Sequence, residues 1–145
     1  MQYLCADRHQ YLQLKTLSEL HKLSFSSYTT LQDGIIALDG ANKKLLVIPS
    51  SVPGAEYIVD LKKVKSLSLK KTYEKILAGD LIEKELDDYI ASIQLQFQPI
   101  HGGKNTALTF YRKTADSIRS VDRHKRNARS WLVILSRLVA PGLNL

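Results

Sequence analysis

A glycine-rich segment at residues 101–106, HGGKNT, is one of two features whose residue types could bind a ligand. Its glycines stand beside Lys104, as they do in loops that cradle phosphate. A phosphate loop needs a hydroxyl residue after the lysine and a following helix whose amides face the anion. Here Asn105 follows Lys104, and a predicted strand comes next. We interpret the segment as the turn of a β-hairpin.

The other feature is a pair of side chains that can ligate metal. Cys5 and His9 stand four residues apart on a predicted helix, and His21 follows three turns later. No second Cys/His pair is present to complete a tetrahedral site. We therefore expect surface or packing roles for these residues, with no metal and no cofactor. Cys5 is the only cysteine, which excludes an internal disulfide and fits a reducing compartment.

Catalytic patterns are absent from the sequence. No serine lies in a G-x-S-x-G elbow. Acidic residues gather at Glu83, Glu85, Asp87 and Asp88, but their spacing is typical of a solvated helix face. Paired carboxylates do acid–base work only in a cleft. We expect no catalytic residues, and a small enzyme ranks third among the functions considered.

Positive charge is concentrated near the C-terminus. Residues 99–145 hold 9 Lys/Arg and 2 Asp/Glu, whereas residues 1–98 hold 12 Lys/Arg and 12 Asp/Glu, so the whole net charge of +7 belongs to the last third. A one-sided basic face attracts polyanions, although it can also serve only to keep a domain in solution. The cations that we expect to form this basic ridge are Arg112, Lys113, Arg119, Arg123, Arg126, Arg129 and Arg137.

Three kinds of partner fit a basic ridge. Each Lys or Arg near an anionic membrane surface would contribute about 1 kcal/mol to binding of the domain. Such weak attraction is useful where an anchor already holds the domain nearby. Nucleic acid would accept phosphate contacts, but no recognition-helix motif is present, and Tyr111 is the only nearby aromatic residue that we expect to be exposed. A protein partner could instead add a strand to a sheet edge.

A predicted helix at residues 120–140 carries most of the ridge. Ser120 can cap its start, Asp122 suits the positive end of the helix dipole, and Pro141 follows its end. His124 lies near the apolar stripe, and we expect it to be partly buried. The stripe itself, at three- and four-residue steps, comprises Val121, Ala128, Trp131, Leu132, Leu135, Leu138 and Val139.

The upstream sequence is mainly a series of short strands. Apolar and polar residues alternate most clearly at residues 92–98, where Ile93, Leu95 and Phe97 are separated by glutamines. An Asp39-Gly40 pair predicts a hairpin turn, and Lys62-Lys63 predicts a tight turn or bulge. We predict strands at residues 34–39, 43–48, 56–61, 64–73, 92–98 and 106–111, and a further strand that begins within residues 23–31. A first helix is predicted at residues 3–22, and a short helix that begins with a capping box is predicted over residues 80–90.

These elements predict an α+β fold in one domain of residues 1–145. An N-terminal helical segment (1–23) precedes a body (24–140) in which an antiparallel sheet or partial barrel is closed by the terminal helix. The predicted core consists of Leu46, Ile48, Ile58, Leu67, Leu69, Ile93, Leu95, Phe97, Leu108, Phe110, Trp131, Leu135 and Leu138.

This order of antiparallel strands and one terminal helix resembles the pleckstrin-homology and GRAM-like superfold. The segments that carry the resemblance are GIIALDGANKKLLVI, YIVDLKKVKSLSLKK, IQLQF, TALTFY and ARSWLVILSRL, within residues 25–140. The resemblance implies a bent antiparallel sheet or barrel with a helix across one end. Lipid-binding members grip phosphoinositides through a Lys/Arg pattern across the first hairpin. Here Lys43 and Lys44 lack an arginine two positions later, so we do not carry that specificity over.

The run KKTYEKILAGDLIEKELDDYIASIQLQF is also similar to a family of small Bacteroidetes proteins with no assigned activity, some with a hydrophobic N-terminal segment. Fold alone does not give function, so function must be argued from a site. We expect a non-catalytic binding or scaffold module acting at the inner membrane face through the basic ridge, with nucleic-acid association as the alternative. We expect a cytoplasmic location, with membrane association if an anchor precedes Met1.

Overall fold

A computed structural model describes residues 8–50, 52, 54–77, 79, 85–103, 105–114 and 121–139 of the chain. These residues form two antiparallel sheets, an N-terminal helix and a C-terminal helix, which confirms the predicted α+β class. The chain divides into two compact units, residues 1–63 and 64–145, and each is described by itself. The assignment of residues 1–145 to one domain stays a prediction.

The first unit is a four-stranded antiparallel meander that follows one helix. The strand predicted at residues 34–39 has those bounds, and the next begins and ends one residue later than predicted. The fourth is shorter than predicted because a 3₁₀ helix at Leu61–Lys63 replaces its end, where a turn or bulge was expected. The elements are α1 (Arg8–His21), β1 (Ser27–Leu31), β2 (Gly34–Asp39), β3 (Lys44–Pro49) and β4 (Tyr57–Asp60).

Helix α1 supplies Leu14 and Leu17 to the core of the first unit. The predicted helix at residues 3–22 is thereby confirmed from Arg8 onward, while residues 1–7 lie outside the described part. Burying apolar surface of this kind is the main source of stability for a short helix. The complete cluster comprises Leu14, Leu17, Leu23, Phe25, Ile35, Ala37, Leu46 and Ile48.

Asp39 is a fully buried carboxylate at the end of β2. It accepts hydrogen bonds from the backbone amides of Ser24 at 2.9 Å and Asn42 at 3.0 Å, and from Asn42 Nδ2 at 2.7 Å. Burial would raise the pKa of Asp39, but the bonds from Asn42, Ser24 and Ala41 outweigh it and hold the pKa below its usual value. The predicted turn after Asp39 is therefore tied to the segment that precedes β1.

The second unit is a three-stranded antiparallel meander followed by a helix that packs against all three strands. A short helix was predicted over residues 80–90, and its described part, from Glu85 onward, contains a 3₁₀ helix at Leu86–Tyr89 with a capping box between Glu85 and Asp88. The capping box expected at residues 80–83 lies outside the described residues. The main elements are β5 (Val64–Tyr73), β6 (Ile90–Pro99), β7 (Thr106–Arg112) and α2 (Val121–Ser136).

Helix α2 is shorter than the predicted 120–140. Beyond Ser136 the amides of Arg137 and Leu138 donate to the carbonyls three residues earlier, of Ile134 at 3.3 Å and Leu135 at 3.0 Å, so the last turn tightens and the helix ends. Ser120 and residues 140–142, which were expected to cap and end it, lie outside the described residues.

Most of the predicted core is buried. Trp131 is 4% exposed and Leu135 is fully buried, which confirms the inward face predicted for α2. In β6 the alternation is confirmed, since Ile93, Leu95 and Phe97 are buried. Four residues of the predicted core are half-buried rather than buried: Ile58, Leu67, Leu69 and Leu138. Two of these lie on β5, an edge strand, where one side of the strand has no neighbour within the sheet.

Candidate functional site

The outward side of α2 carries the largest part of the predicted basic ridge. Its inward side is formed by residues at three- and four-residue steps, from His124 to Leu135. That register leaves the arginines in solvent, because they fall opposite the inward positions on the helical wheel. The four exposed arginines, which we call the arginine face, are Arg123, Arg126, Arg129 and Arg137.

The other three residues of the predicted ridge lie outside the arginine face. Arg112 is exposed at the end of β7. The Lys113 ammonium is half-buried and forms an ion pair with the Glu74 carboxylate, so its charge is already balanced. Arg119 lies outside the described residues. The ridge is therefore carried mainly by α2.

Tyr111 was expected to be exposed, and that expectation is wrong: its side chain is 1% exposed. The cause is a β-bulge in β7, where Ile93 pairs with Tyr111 and the next pair is Gln94 with Thr109, leaving Phe110 without a partner on β6. A bulge adds one residue to one strand and breaks the alternation of facing. Two successive aromatic side chains, Phe110 and Tyr111, are consequently both buried.

His124 packs on the inward side of α2, as the sequence predicted. The side chain is 9% exposed, and its ring centroid lies 5.7 Å from that of Tyr111. Burial, with a smaller contribution from the neighbouring Arg123 charge, lowers the pKa of His124 below its usual value. The neutral imidazole is therefore favoured in the folded protein.

Asp87 links the 3₁₀ helix to both β5 and α2, a relationship that the sequence did not reveal. Its carboxylate lies 3.5 Å from Lys71 Nζ and 3.0 Å from Lys125 Nζ, while Asp122 Oδ1 lies 3.6 Å from the same Lys125 atom. The hydrogen bond from Lys125, followed by the charge of Lys71, holds the pKa of Asp87 below its usual value. The bond to Asp87 likewise raises the pKa of Lys125. The one lysine of α2 is thus held by carboxylates.

The arginine face differs from these lysines in its surroundings. Among the described residues, none of its four members forms an ion pair. After Asp122, the described part of the helix and its following turn contain no acidic residue. The side chains of Val133 and Ile134, which the sequence reading did not single out, are also on the outward side, with exposed fractions of 53% and 38%. Within the described residues, this surface therefore combines four arginines that form no ion pair with two aliphatic side chains.

The other predicted sites yield little in the described residues. The loop at residues 100–105 joins β6 to β7 as a hairpin, with Gly102 and Gly103 at positive φ, which confirms the turn interpretation. Lys104 and Cys5 lie outside the described part of the chain, as does the side chain of His9. No group of three or more His, Cys, Asp or Glu side chains suited to a metal ion occurs in that part.

The acidic group at residues 83–88 has structural roles where it is described. Asp87 forms the ion pairs given above, and Asp88 Oδ2 accepts a hydrogen bond from the Glu85 amide at 2.9 Å. Glu83 lies outside the described residues. In the first unit an open groove of about 350 Å³ is lined mainly by apolar atoms, with contributions from Leu12, Leu17 and Glu56. Among the described residues that line the groove, Glu56 is the one titratable side chain.

Comparison of the chain with protein-family models, with curated proteins and with solved structures gives no match. Neither of the described helices has the length and apolar character needed to cross a membrane.

Proposed function

We propose that this protein is a non-catalytic binding module that attaches to an anionic membrane surface through the arginine face of α2. The observation that carries the proposal is the shared outward orientation of Arg123, Arg126, Arg129 and Arg137 on a helix whose other side is fixed to the sheet. A rigid helix presents its charges to a surface without the entropic cost of ordering a flexible segment.

The resemblance to pleckstrin-homology and GRAM-like domains is part of this proposal. It is supported by the element order, in which antiparallel strands precede one terminal helix. Under this interpretation the sheets act as a scaffold and α2 supplies the contact surface. Anionic lipids are concentrated in the cytoplasmic leaflet, so we expect the protein to act on that side of the membrane.

The attachment should be weak and sensitive to salt. Each arginine near an anionic surface contributes about 1 kcal/mol, so four arginines give roughly 4 kcal/mol at low ionic strength. An affinity of that size corresponds to a dissociation constant of about 1 mM. We therefore expect a second interaction, such as a protein partner or an anchor, to share the work of localisation.

The test is co-sedimentation with phosphatidylcholine vesicles, with and without phosphatidylserine. Wild-type protein should bind only the anionic vesicles, and Arg126→Gln with Arg129→Gln should weaken that binding about thirtyfold. The matched control is Lys62→Gln with Lys63→Gln, which removes the same charge from exposed positions outside α2. Equal losses in the two double variants would contradict a specific role for the arginine face.

Duplex DNA added to the vesicles tests the alternative partner. Under the proposal, DNA competes only through its phosphates and no more strongly than an equal concentration of lipid phosphate. Stripping of the protein from vesicles by a small amount of DNA would instead favour nucleic acid. Absence of binding to either would leave a protein partner as the function to pursue.

A further inference from the structure

Val133 and Ile134 are consecutive aliphatic residues that α2 holds in solvent. The helix register requires this, because Trp131 and Leu135 on either side are both buried, at 4% and 0% exposure. Val133 is 53% exposed and Ile134 is 38% exposed. Single exposed aliphatic residues are common on protein surfaces. This pair is distinctive because of the charges around it.

Arginines bracket the aliphatic pair along the helix axis. Arg129 lies four residues before Val133 and Arg137 lies four residues after it, so each arginine stands about one turn away on the same side. The amide of Arg137 donates to the Ile134 carbonyl at 3.3 Å, which keeps the chain coiled through the turn that follows the helix. From Arg126 to Arg137 the surface spans roughly 16 Å at 1.5 Å per residue.

A bilayer surface fits this arrangement better than the other polyanions do. Headgroup phosphates lie at the level where arginine side chains reach, and the acyl boundary begins a few ångströms deeper. Aliphatic side chains between the arginines can enter that boundary, whereas the phosphate backbone of a nucleic acid offers them no apolar layer. Nucleic-acid surfaces without sequence preference instead use exposed aromatic rings. Trp131 on α2 and Tyr111 on β7 are both buried and offer no exposed ring beside the arginines.

We propose that Val133 and Ile134 insert between the lipids of an anionic bilayer while Arg126, Arg129 and Arg137 bind the surrounding headgroup phosphates. This inference rests on the proposed membrane attachment and specifies its mode as interfacial insertion instead of charge attraction alone. It also predicts which part of the binding survives salt. Screening weakens the arginine contribution, but it leaves the burial of aliphatic surface largely unchanged.

The decisive variant is Val133→Thr with Ile134→Thr. Both substitutions keep a β-branched side chain, so the conformational preference of each position is retained. Threonine is neutral and both positions are exposed, so the net charge and the buried side of α2 are unchanged. Binding to phosphatidylserine-containing vesicles should fall about tenfold, and the residual binding that wild-type protein shows at physiological salt should disappear. Circular dichroism and a thermal melt of each variant establish that the fold is retained.

A gain-of-binding variant complements this loss. Val133→Phe enlarges the apolar surface at the same exposed position and should increase vesicle binding severalfold, with no change in binding to duplex DNA. An equal increase for vesicles and DNA would overturn the insertion mode, because a general increase in stickiness would then explain it.

The outcomes separate this inference from the function on which it rests. Suppose that the double Thr variant binds like wild-type protein at low and physiological salt, while Arg126→Gln with Arg129→Gln loses binding. Insertion is then overturned and membrane attachment stands. If the arginine variant also binds anionic vesicles like wild-type protein, the proposed function fails as well. Loss in both variants, with the salt-resistant part lost in the Thr variants, supports both.

Discussion

The ring of His124 on α2 faces the ring of Tyr111 on β7, with centroids 5.7 Å apart and planes tilted by 37°. Both side chains are buried, so the contact joins the terminal helix to the sheet of the second unit. A histidine in this position can carry a proton only by placing a charge in an apolar environment. The consequence is a dependence of stability on pH.

We expect the free energy of unfolding to decrease as the pH falls below about 6.5, the usual pKa of histidine. The pKa of His124 is lowered in the folded protein, so the unfolded chain binds more protons in this range and acid favours unfolding. His124→Phe keeps an aromatic ring but cannot titrate. Urea unfolding at about pH 7.5 and about pH 5.5 should show a smaller difference for the variant than for wild-type protein. Equal differences would show that His124 does not contribute.

Trp131 should be among the residues most important for stability. It is 4% exposed on the inward side of α2, and truncation would leave a large cavity between the helix and the sheet. Trp131→Ala should lower the free energy of unfolding by about 3–5 kcal/mol. Val133→Ala, only two residues along but on the exposed side, should change it by less than about 0.5 kcal/mol. Chemical denaturation of the two variants compares these values, and similar midpoints would contradict the described register of α2.

Asp87 should stabilise the second unit by coupling to two lysines. Asp87→Asn removes the charge that lies near Lys71 and Lys125 while preserving the size of the side chain. We expect a loss of about 1 kcal/mol at neutral pH, because the pairs are only partly shielded from solvent. A double-mutant cycle with Lys125→Met measures the coupling between the two side chains. Strict additivity in the cycle would mean that the 3.0 Å contact contributes no coupling energy.

Gly34 should not tolerate a side chain. A Cβ atom at this position would lie 2.1 Å from the Ile48 carbonyl oxygen and 3.1 Å from the Pro49 Cα atom, both in the neighbouring strand β3. Since backbone atoms in a paired strand cannot move aside cheaply, Gly34→Ala should cost at least about 2 kcal/mol. At Gly40 the nearest atom would be Ser26 Oγ at 3.4 Å, so Gly40→Ala is the matched control. Thermal melts should separate the two variants, and equal melting temperatures would contradict the described strand pairing.

Local patterns predicted much of the fold. Alternation at residues 92–98 predicted the inward side of β6, and three- and four-residue steps predicted the burial of Ala128, Trp131 and Leu135. These signals depend only on the geometry of one element. The side of α2 that carries the arginines follows from the same periodicity, which is why sequence reasoning identified Arg123, Arg126, Arg129 and Arg137.

The sequence did not reveal features that depend on contacts between distant residues. Asp87 and Lys125 are 38 residues apart, and nothing in either local pattern marks them as partners. The position of Tyr111 depends on a mismatch between β6 and β7, which the sequence of β7 alone does not display. Val133 and Ile134 were overlooked because their apolar character suggested no outward role. The adjacent buried positions, Trp131 and Leu135, are the signal that could have placed them outside.

The bulge at Phe110 decides which way the end of β7 faces. In an unbulged strand of the same sequence, inward and outward positions would alternate without interruption, so Tyr111 would face solvent and Arg112 would face the sheet interior. Losing one residue at Phe110 would instead remove the bulge and restore regular pairing, with Tyr111 still inward and Arg112 still outward. The end of β7 should therefore keep its facing when the chain is shortened by the residue that forms the bulge.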